Sequence, residues 1–110
     1  MSQLSEKKCV PCHGGVPALT REDVIPLLRQ LHGWDVIDNH HLRKSISFPD
    51  FARALAFVNE VGALAEREAH HPDIHLAWGK AAIEIWTHKV DGLTESDFIL
   101  AAKIDALPRG

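Results

Sequence analysis

The chain reads as an α+β domain: a four-stranded, largely antiparallel sheet with three helices on one face, in the order α-β-β-α-β-β-α. Three observations predict this two-layer fold. Apolar residues recur at three- and four-residue steps in three segments, near residues 24–31, 51–65 and 98–104. Between those segments lie stretches where apolar and polar residues alternate, arranged in pairs with turn residues between them. The connections are short, which favours antiparallel hairpins over parallel crossovers.

The first helix starts at Leu19-Thr20-Arg21-Glu22-Asp23-Val24. Thr20 can cap it, Asp23 sits at the third helical position, and Leu19 and Val24 form the hydrophobic staple. Val24, Leu27, Leu28 and Leu31 keep helical spacing, and Gly33 is expected to end the helix. Residues 34–37 form a short strand, and Asp38-Asn39 a turn. From 41 to 48, Leu42, Lys44, Ile46 and Phe48 share one face and Arg43, Ser45 and Ser47 the other. That alternation predicts a strand paired with the first, its apolar face broken only by Lys44.

Pro49-Asp50 opens the longest helix, with Asp50 as its cap. Phe51, Leu55, Val58, Val61, Leu64 and Ala65 form one apolar stripe expected to lie on the sheet. The helix must stop by His71, because the residue before Pro72 is pushed out of the α region. Ile74, Leu76 and Trp78 alternate with His75 and Ala77 in a third strand, and Gly79-Lys80 is the turn. Residues 82–88 form a fourth strand, with Ile83, Ile85 and Thr87 on one face and Glu84, Trp86 and His88 on the other. Asp91-Gly92 turns the chain, and Leu93-Thr94-Glu95-Ser96-Asp97-Phe98 repeats the capped-helix start.

At 110 residues the chain is expected to be one domain, residues 19–110, preceded by an arm, residues 1–18. With 45% apolar residues it can bury a core, and small domains often gain from oligomerising. Net charge is −3 and the charges are mixed, with no basic stripe, so direct nucleic-acid binding is not expected. No apolar run approaches the ~20 residues that span a bilayer, so no membrane partner is expected. Residues 1–8 are polar and no signal-peptide segment follows, which predicts a soluble cytoplasmic protein. Cys9 and Cys12 make a lone CxxC beside His13. These supply three of the roughly four ligands a structural zinc needs, and the strand–helix context of a redox motif is missing. The expectation is an arm that orders on docking, with no metal.

The chemistry gathers around Glu66, His70-His71-Pro72, Trp78, His88 and Asp97. Histidine's ordinary pKa, ~6.5, lets it give and take protons near neutrality. Each residue also has a plainer reading. His70 sits where a helix C-terminus favours a cation. His88 is a strand-end surface residue, and Asp97 is the third helical residue after Thr94, where a carboxylate completes a capping box. Glu66 lies one helical turn before His70. Trp34 and Trp78 are either core or a wall for a planar ring.

The joint spacing carries more. Glu66, three residues, His70-His71-Pro72, five residues, Trp78, nine residues, His88, eight residues and Asp97 resemble the signature of the pterin-4a-carbinolamine dehydratase family. Gly33-Trp34, the helix 51–68 and Asp91-Gly92-Leu93-Thr94 belong to the same resemblance, which runs from about Thr20 to Ile104. The Cys9–Gly15 arm also looks like an extension of bacterial members. The resemblance implies dehydration of 4a-hydroxytetrahydropterin to quinonoid dihydropterin, recycling the pterin after aromatic amino-acid hydroxylation such as that of phenylalanine. It implies no metal or organic cofactor, a homo-oligomer (dimer or tetramer), and a set of site residues. His70, His71 and His88 would share the roles of general acid, general base and substrate hydrogen bonding. Glu66 and Asp97 would orient a histidine or bond the pterin edge, and Trp34 and Trp78 would be pocket wall or core. One departure is Ala69, where members often carry Asp or Asn. The alternative function is a regulatory or interaction module on the same fold, as in animal members that act as a dimerisation cofactor of a homeodomain transcription factor.

Overall fold

The computed structural model describes residues 4–7 and 17–107. The expectation for Cys9, Cys12 and His13 lies outside the described residues. Helix α1 spans Arg21–Leu28, strands β1 and β2 Asp35–Ile37 and His41–Ser47, and helix α2 Phe51–Glu68. Strands β3 and β4 follow at Asp73–Ala77 and Lys80–Ile85, then a 3-10 turn at His88–Val90 and helix α3 at Glu95–Asp105. The sheet order is β1-β2-β4-β3, and every neighbouring pair is antiparallel. This is the expected two-layer α+β fold.

The helix starts are set locally. The Thr20 N–H and hydroxyl donate to Asp23 Oδ2 at 3.1 and 2.9 Å, and the Asp23 N–H returns to Thr20 Oγ1. The backbone bond first, then the side-chain bond, holds the Asp23 carboxyl below its ordinary value of 3.8. The stability this adds is complete at neutral pH and is lost as pH falls through the folded-state value. Asp50 caps α2 by accepting from the Arg53 N–H at 2.8 Å.

Helix α1 ends at Leu28, not at Gly33. Beyond it Gln30 and Leu31 donate to the carbonyls three residues back, so the coil tightens while Leu31 stays buried. Gly33, at φ 79°, then turns the chain into β1. Asp38 and Asn39 both take positive φ, as a type I′ hairpin turn requires. The third strand is shorter than its alternation suggested. It ends at Ala77, Trp78-Gly79 form the turn, and β4 begins at Lys80.

The sheet buries Leu42, Ile46, Ala81, Ile83 and Ile85 against Phe57, Val61 and Leu64 of α2 and Phe98, Leu100 and Ile104 of α3. The α2 stripe is rotated from the expected one. Ala54 and Phe57 face inward in the first turns, while Phe51 and Leu55 are 43% and 39% exposed. Alanine at position 54 lets the helix approach the sheet closely, and Phe57 packs on Phe48 with ring centroids 5.4 Å apart. The middle of helix α3, from Ser96 to Ala102, is buried all the way round, with Phe98, Ile99, Leu100, Ala101 and Ala102 in succession and Glu95 exposed at its start. The docked turn Leu4–Glu6, with Leu4 2% exposed, is part of that cover.

Lys44, which breaks the apolar face of β2, is buried and ion-paired. Its Nζ lies 2.7 Å from Asp105 Oδ1 and donates to the His32 carbonyl at 2.7 Å. Asp105 also accepts from Trp34 Nε1 at 2.9 Å and from the His32 N–H at 3.0 Å. One carboxylate thus ties the end of α3 to β2 and to the loop before β1.

Candidate active site

Helix α2 ends in a Schellman motif: the Ala69 N–H bonds to the Glu66 carbonyl and the His70 N–H to the Ala65 carbonyl. The motif needs a left-handed residue, and Ala69 supplies it at φ 53°, ψ 37°. Glycine or asparagine is the usual occupant, since a Cβ is disfavoured there by about 1–2 kcal/mol. Ala69→Gly is therefore expected to stabilise the fold by about 1 kcal/mol, raising the melting temperature by roughly 4–8 °C. An unchanged or lower melting temperature in calorimetry would contradict it.

The left-handed turn aims the two histidines differently. His70, 15% exposed at its side chain, places Nε2 2.5 Å from Asp97 Oδ1. His71, 60% exposed, folds back so that its Nε2 lies 2.9 Å from Glu66 Oε1. Helical spacing pairs Glu66 with His70; the turn at Ala69 gives it His71 instead.

Asp97 is fully buried at the third position of α3. Its Oδ2 accepts from the Thr94 N–H at 2.8 Å and from the Thr87 hydroxyl at 2.9 Å, leaving Oδ1 for His70. The capping role and the histidine contact coexist, one on each oxygen. Because a carboxylate only accepts, the proton of each contact lies on Nε2, which leaves Nδ1 as the nitrogen with a lone pair whenever the ring is neutral.

His88 lies next to Thr87, which bonds Asp97. It opens the 3-10 turn rather than closing β4, which stops at Ile85; Thr87 forms only an isolated bridge with Gly92. His88 is exposed, and its ring centroid lies 4.5 Å from that of Trp86. Strands β3 and β4 are antiparallel, so the histidine pair that precedes Asp73 and the His88 that follows Ile85 lie at the same end of the sheet. Glu66, His70, His71, His88 and Asp97 are thus gathered at one end of the sheet.

The structure does not bring Trp34 or Trp78 to them. Trp34 is buried at the C-terminal end of α3, about 12 Å along the helix from Asp97. Trp78 is 74% exposed in the β3–β4 turn, at the opposite end of β3 from the histidine pair. The tryptophan that does sit beside the site is Trp86, whose sequence signal was its placement on one face with Glu84 and His88. His40 and His41 were also missed. His40 Nε2 lies 2.8 Å from Asp91 Oδ1, His41 Nε2 3.7 Å from Glu84 Oε2, and the two Nδ1 atoms 3.1 Å apart. Among the described residues no three His, Cys, Asp or Glu side chains are grouped to hold a metal ion, and no helix is long and apolar enough to cross a membrane.

The family model described as pterin 4 alpha carbinolamine dehydratase matches residues 17–107. A protein of Rubrobacter xylanophilus, named provisionally as a pterin-4-alpha-carbinolamine dehydratase, is 61% identical over 97% of this chain and 100% of its own. A Rickettsia bellii protein with the same provisional name is 56% identical over 94% of this chain and 93% of its own. Among solved structures, a transcriptional coactivator/pterin dehydratase from Brucella melitensis superposes with a TM-score of 0.76 at 32% identity, covering 81% of this chain and 96% of that one. A pterin dehydratase-like protein described as a RuBisCO assembly factor in the alpha-carboxysome gives 0.59 at 26% identity, covering 68% and 88%.

Proposed function

The chain belongs to the pterin 4 alpha carbinolamine dehydratase family, and from that premise we propose that it converts 4a-hydroxytetrahydropterin to quinonoid dihydropterin by histidine acid–base catalysis. In this reaction the C4a–O bond breaks as its oxygen takes a proton. The N5–H proton is removed, the C4a=N5 double bond forms, and water leaves. The observation that carries the proposal is the set of three histidines at one end of the sheet, two of them backed by carboxylates. A base with an oriented lone pair and an acid that returns the proton are what the two proton transfers require. His70 and His71 offer Nδ1 for this work, and His88 offers both ring nitrogens. Glu66 and Asp97 act on this reading by fixing tautomers.

The reaction as written moves only protons and one C–O bond, so the proposal includes no metal or organic cofactor. The product would re-enter pterin recycling after aromatic amino-acid hydroxylation, and the chain would work in the cytoplasm. We include a homo-oligomer, dimer or tetramer, because Phe51 and Leu55, one helical turn apart on α2, leave apolar surface exposed. Light scattering should give two or four chains; a monomer overturns this part.

Decay of 4a-hydroxytetrahydropterin, followed by absorbance with and without the protein, tests the activity. His71→Ala and His88→Ala are each expected to lower turnover about tenfold or more while the fold persists. Single variants at wild-type rates would remove those histidines from the mechanism. A second reading, an interaction module on this fold, is favoured by the exposed Phe51, Leu55 and Trp78. The coactivator and assembly-factor descriptions of the two structural neighbours support it too. A stoichiometric partner without pterin dehydration would select it.

A further inference from the structure

We infer that Trp86 is a positioning residue: its indole holds the His88 imidazole in working orientation, the part that carboxylates play for His70 and His71. This rests on the dehydratase reading. Each of the other two histidines is oriented through Nε2, by Asp97 or by Glu66. Among the described residues the His88 side chain has no such partner; it is exposed, sits in a 3-10 turn, and lies against the Trp86 ring. The two rings lie 4.5 Å apart, centroid to centroid, tilted by 37°. That is within the range where offset aromatic packing is attractive. Stacking fixes the plane of the imidazole without occupying either nitrogen. Both stay available to substrate, one as donor and one as acceptor in the neutral ring.

The indole is itself held. It is half-buried against the core, and the His40 and His41 rings lie 5.5 and 5.9 Å from it. His40 is anchored by Asp91, at the far end of the same 3-10 turn that His88 opens. The β1–β2 hairpin is thereby latched to the segment carrying His88, with Trp86 between them. The indole face beside His88 is taken by that imidazole, which is why Trp86 acts through His88 rather than as a platform for substrate.

The test compares Trp86→Leu, which keeps apolar bulk without a ring, with Trp86→Phe, which keeps a ring. The first readout is the His88 imidazole C–H resonances in the resting protein, assigned by their loss in His88→Gln. Ring current from the indole should displace them in the wild type; Trp86→Leu should abolish the displacement and Trp86→Phe retain part of it. The second readout is turnover of 4a-hydroxytetrahydropterin. Trp86→Leu should lower kcat about tenfold with KM within about twofold, the pattern of a lost transition-state interaction, and Trp86→Phe should recover most of kcat. An undisplaced His88 signal in the wild type overturns the inference. So does a rise in KM at constant kcat, which would make the indole a substrate contact. If the wild type does not turn over the pterin, the dehydratase reading falls, and the inference falls with it as a statement about catalysis. The resonances would then still show whether the stack exists.

Discussion

Asp97→Asn is expected to lower turnover by about 10²-fold or more, because this one side chain sets the His70 tautomer and nothing beside it can take over. The carboxylate accepts on both oxygens: from His70 on Oδ1, and from Thr87 and the Thr94 N–H on Oδ2. Asparagine can accept on only one side. If its carbonyl keeps the helix cap, its NH2 faces His70 Nε2. The imidazole proton must then move to Nδ1, the nitrogen that the proposal assigns to the reaction. If the amide is reversed, the Thr94 N–H and the amide donors face each other in a buried site, at a cost of about 1–3 kcal/mol in stability. Rapid-mixing kinetics together with calorimetry separate the cases. Turnover within about threefold of wild type, far from the ~10²-fold loss of an acid–base group, would show that His70 needs no fixed tautomer.

The largest effect on stability is expected at Asp105. Asp105→Ala leaves the Lys44 ammonium, the Trp34 indole N–H and the His32 N–H without their acceptor. Lys44 and Asp105 side chains are 6% and 8% exposed, so water does not replace the lost partner. Breaking a buried ion pair from one side typically costs about 3–5 kcal/mol, a large share of the roughly 5–15 kcal/mol that holds a domain folded. The melting temperature should fall by at least about 12 °C. The paired change Lys44→Met with Asp105→Leu should recover the part of that loss due to the uncompensated charge, while the Trp34 indole N–H and the His32 N–H stay without their acceptor. A single variant that melts within about 4 °C of wild type, near 1 kcal/mol, would mean that Lys44 finds another way to solvent.

These two sites show which parts of the molecule were legible in the sequence. Signals confined to a few adjacent residues read directly. Thr20 with Asp23, Asp50 with Arg53, and the Asp38-Asn39 turn are satisfied within three or four positions, and each forms as expected. Lys44 was visible as a break in an apolar face, but its remedy lies 61 residues away at Asp105. The inward face of α2 was misjudged because Phe51 and Leu55 fit the helical period as well as Ala54 and Phe57 do. Only the approach to the sheet decides between them.

At the site, the histidine pair and Asp97 were legible as residues. Their pairing was not, since it depends on the left-handed conformation of Ala69, which periodicity does not encode. That conformation also gives Ala69 a meaning the sequence lacked: Asp or Asn there would suit the backbone, whatever else they bond. Trp86 escaped notice for a related reason. Its aromatic neighbours His40 and His41 come from a different hairpin, while Trp34 and Trp78 stood out by residue type alone. Burial against Asp105 and exposure in a turn then took those two away from the histidines.

The proposed function requires the three histidines to dehydrate a pterin carbinolamine. Its most direct test is stopped-flow absorbance of 4a-hydroxytetrahydropterin with the wild type, with the His71→Ala/His88→Ala double variant, and with neither. Decay should accelerate in proportion to wild-type concentration and should be indistinguishable from buffer with the folded double variant. Acceleration that survives in the double variant would contradict the acid–base assignment, and no acceleration by the wild type would contradict the proposed activity itself.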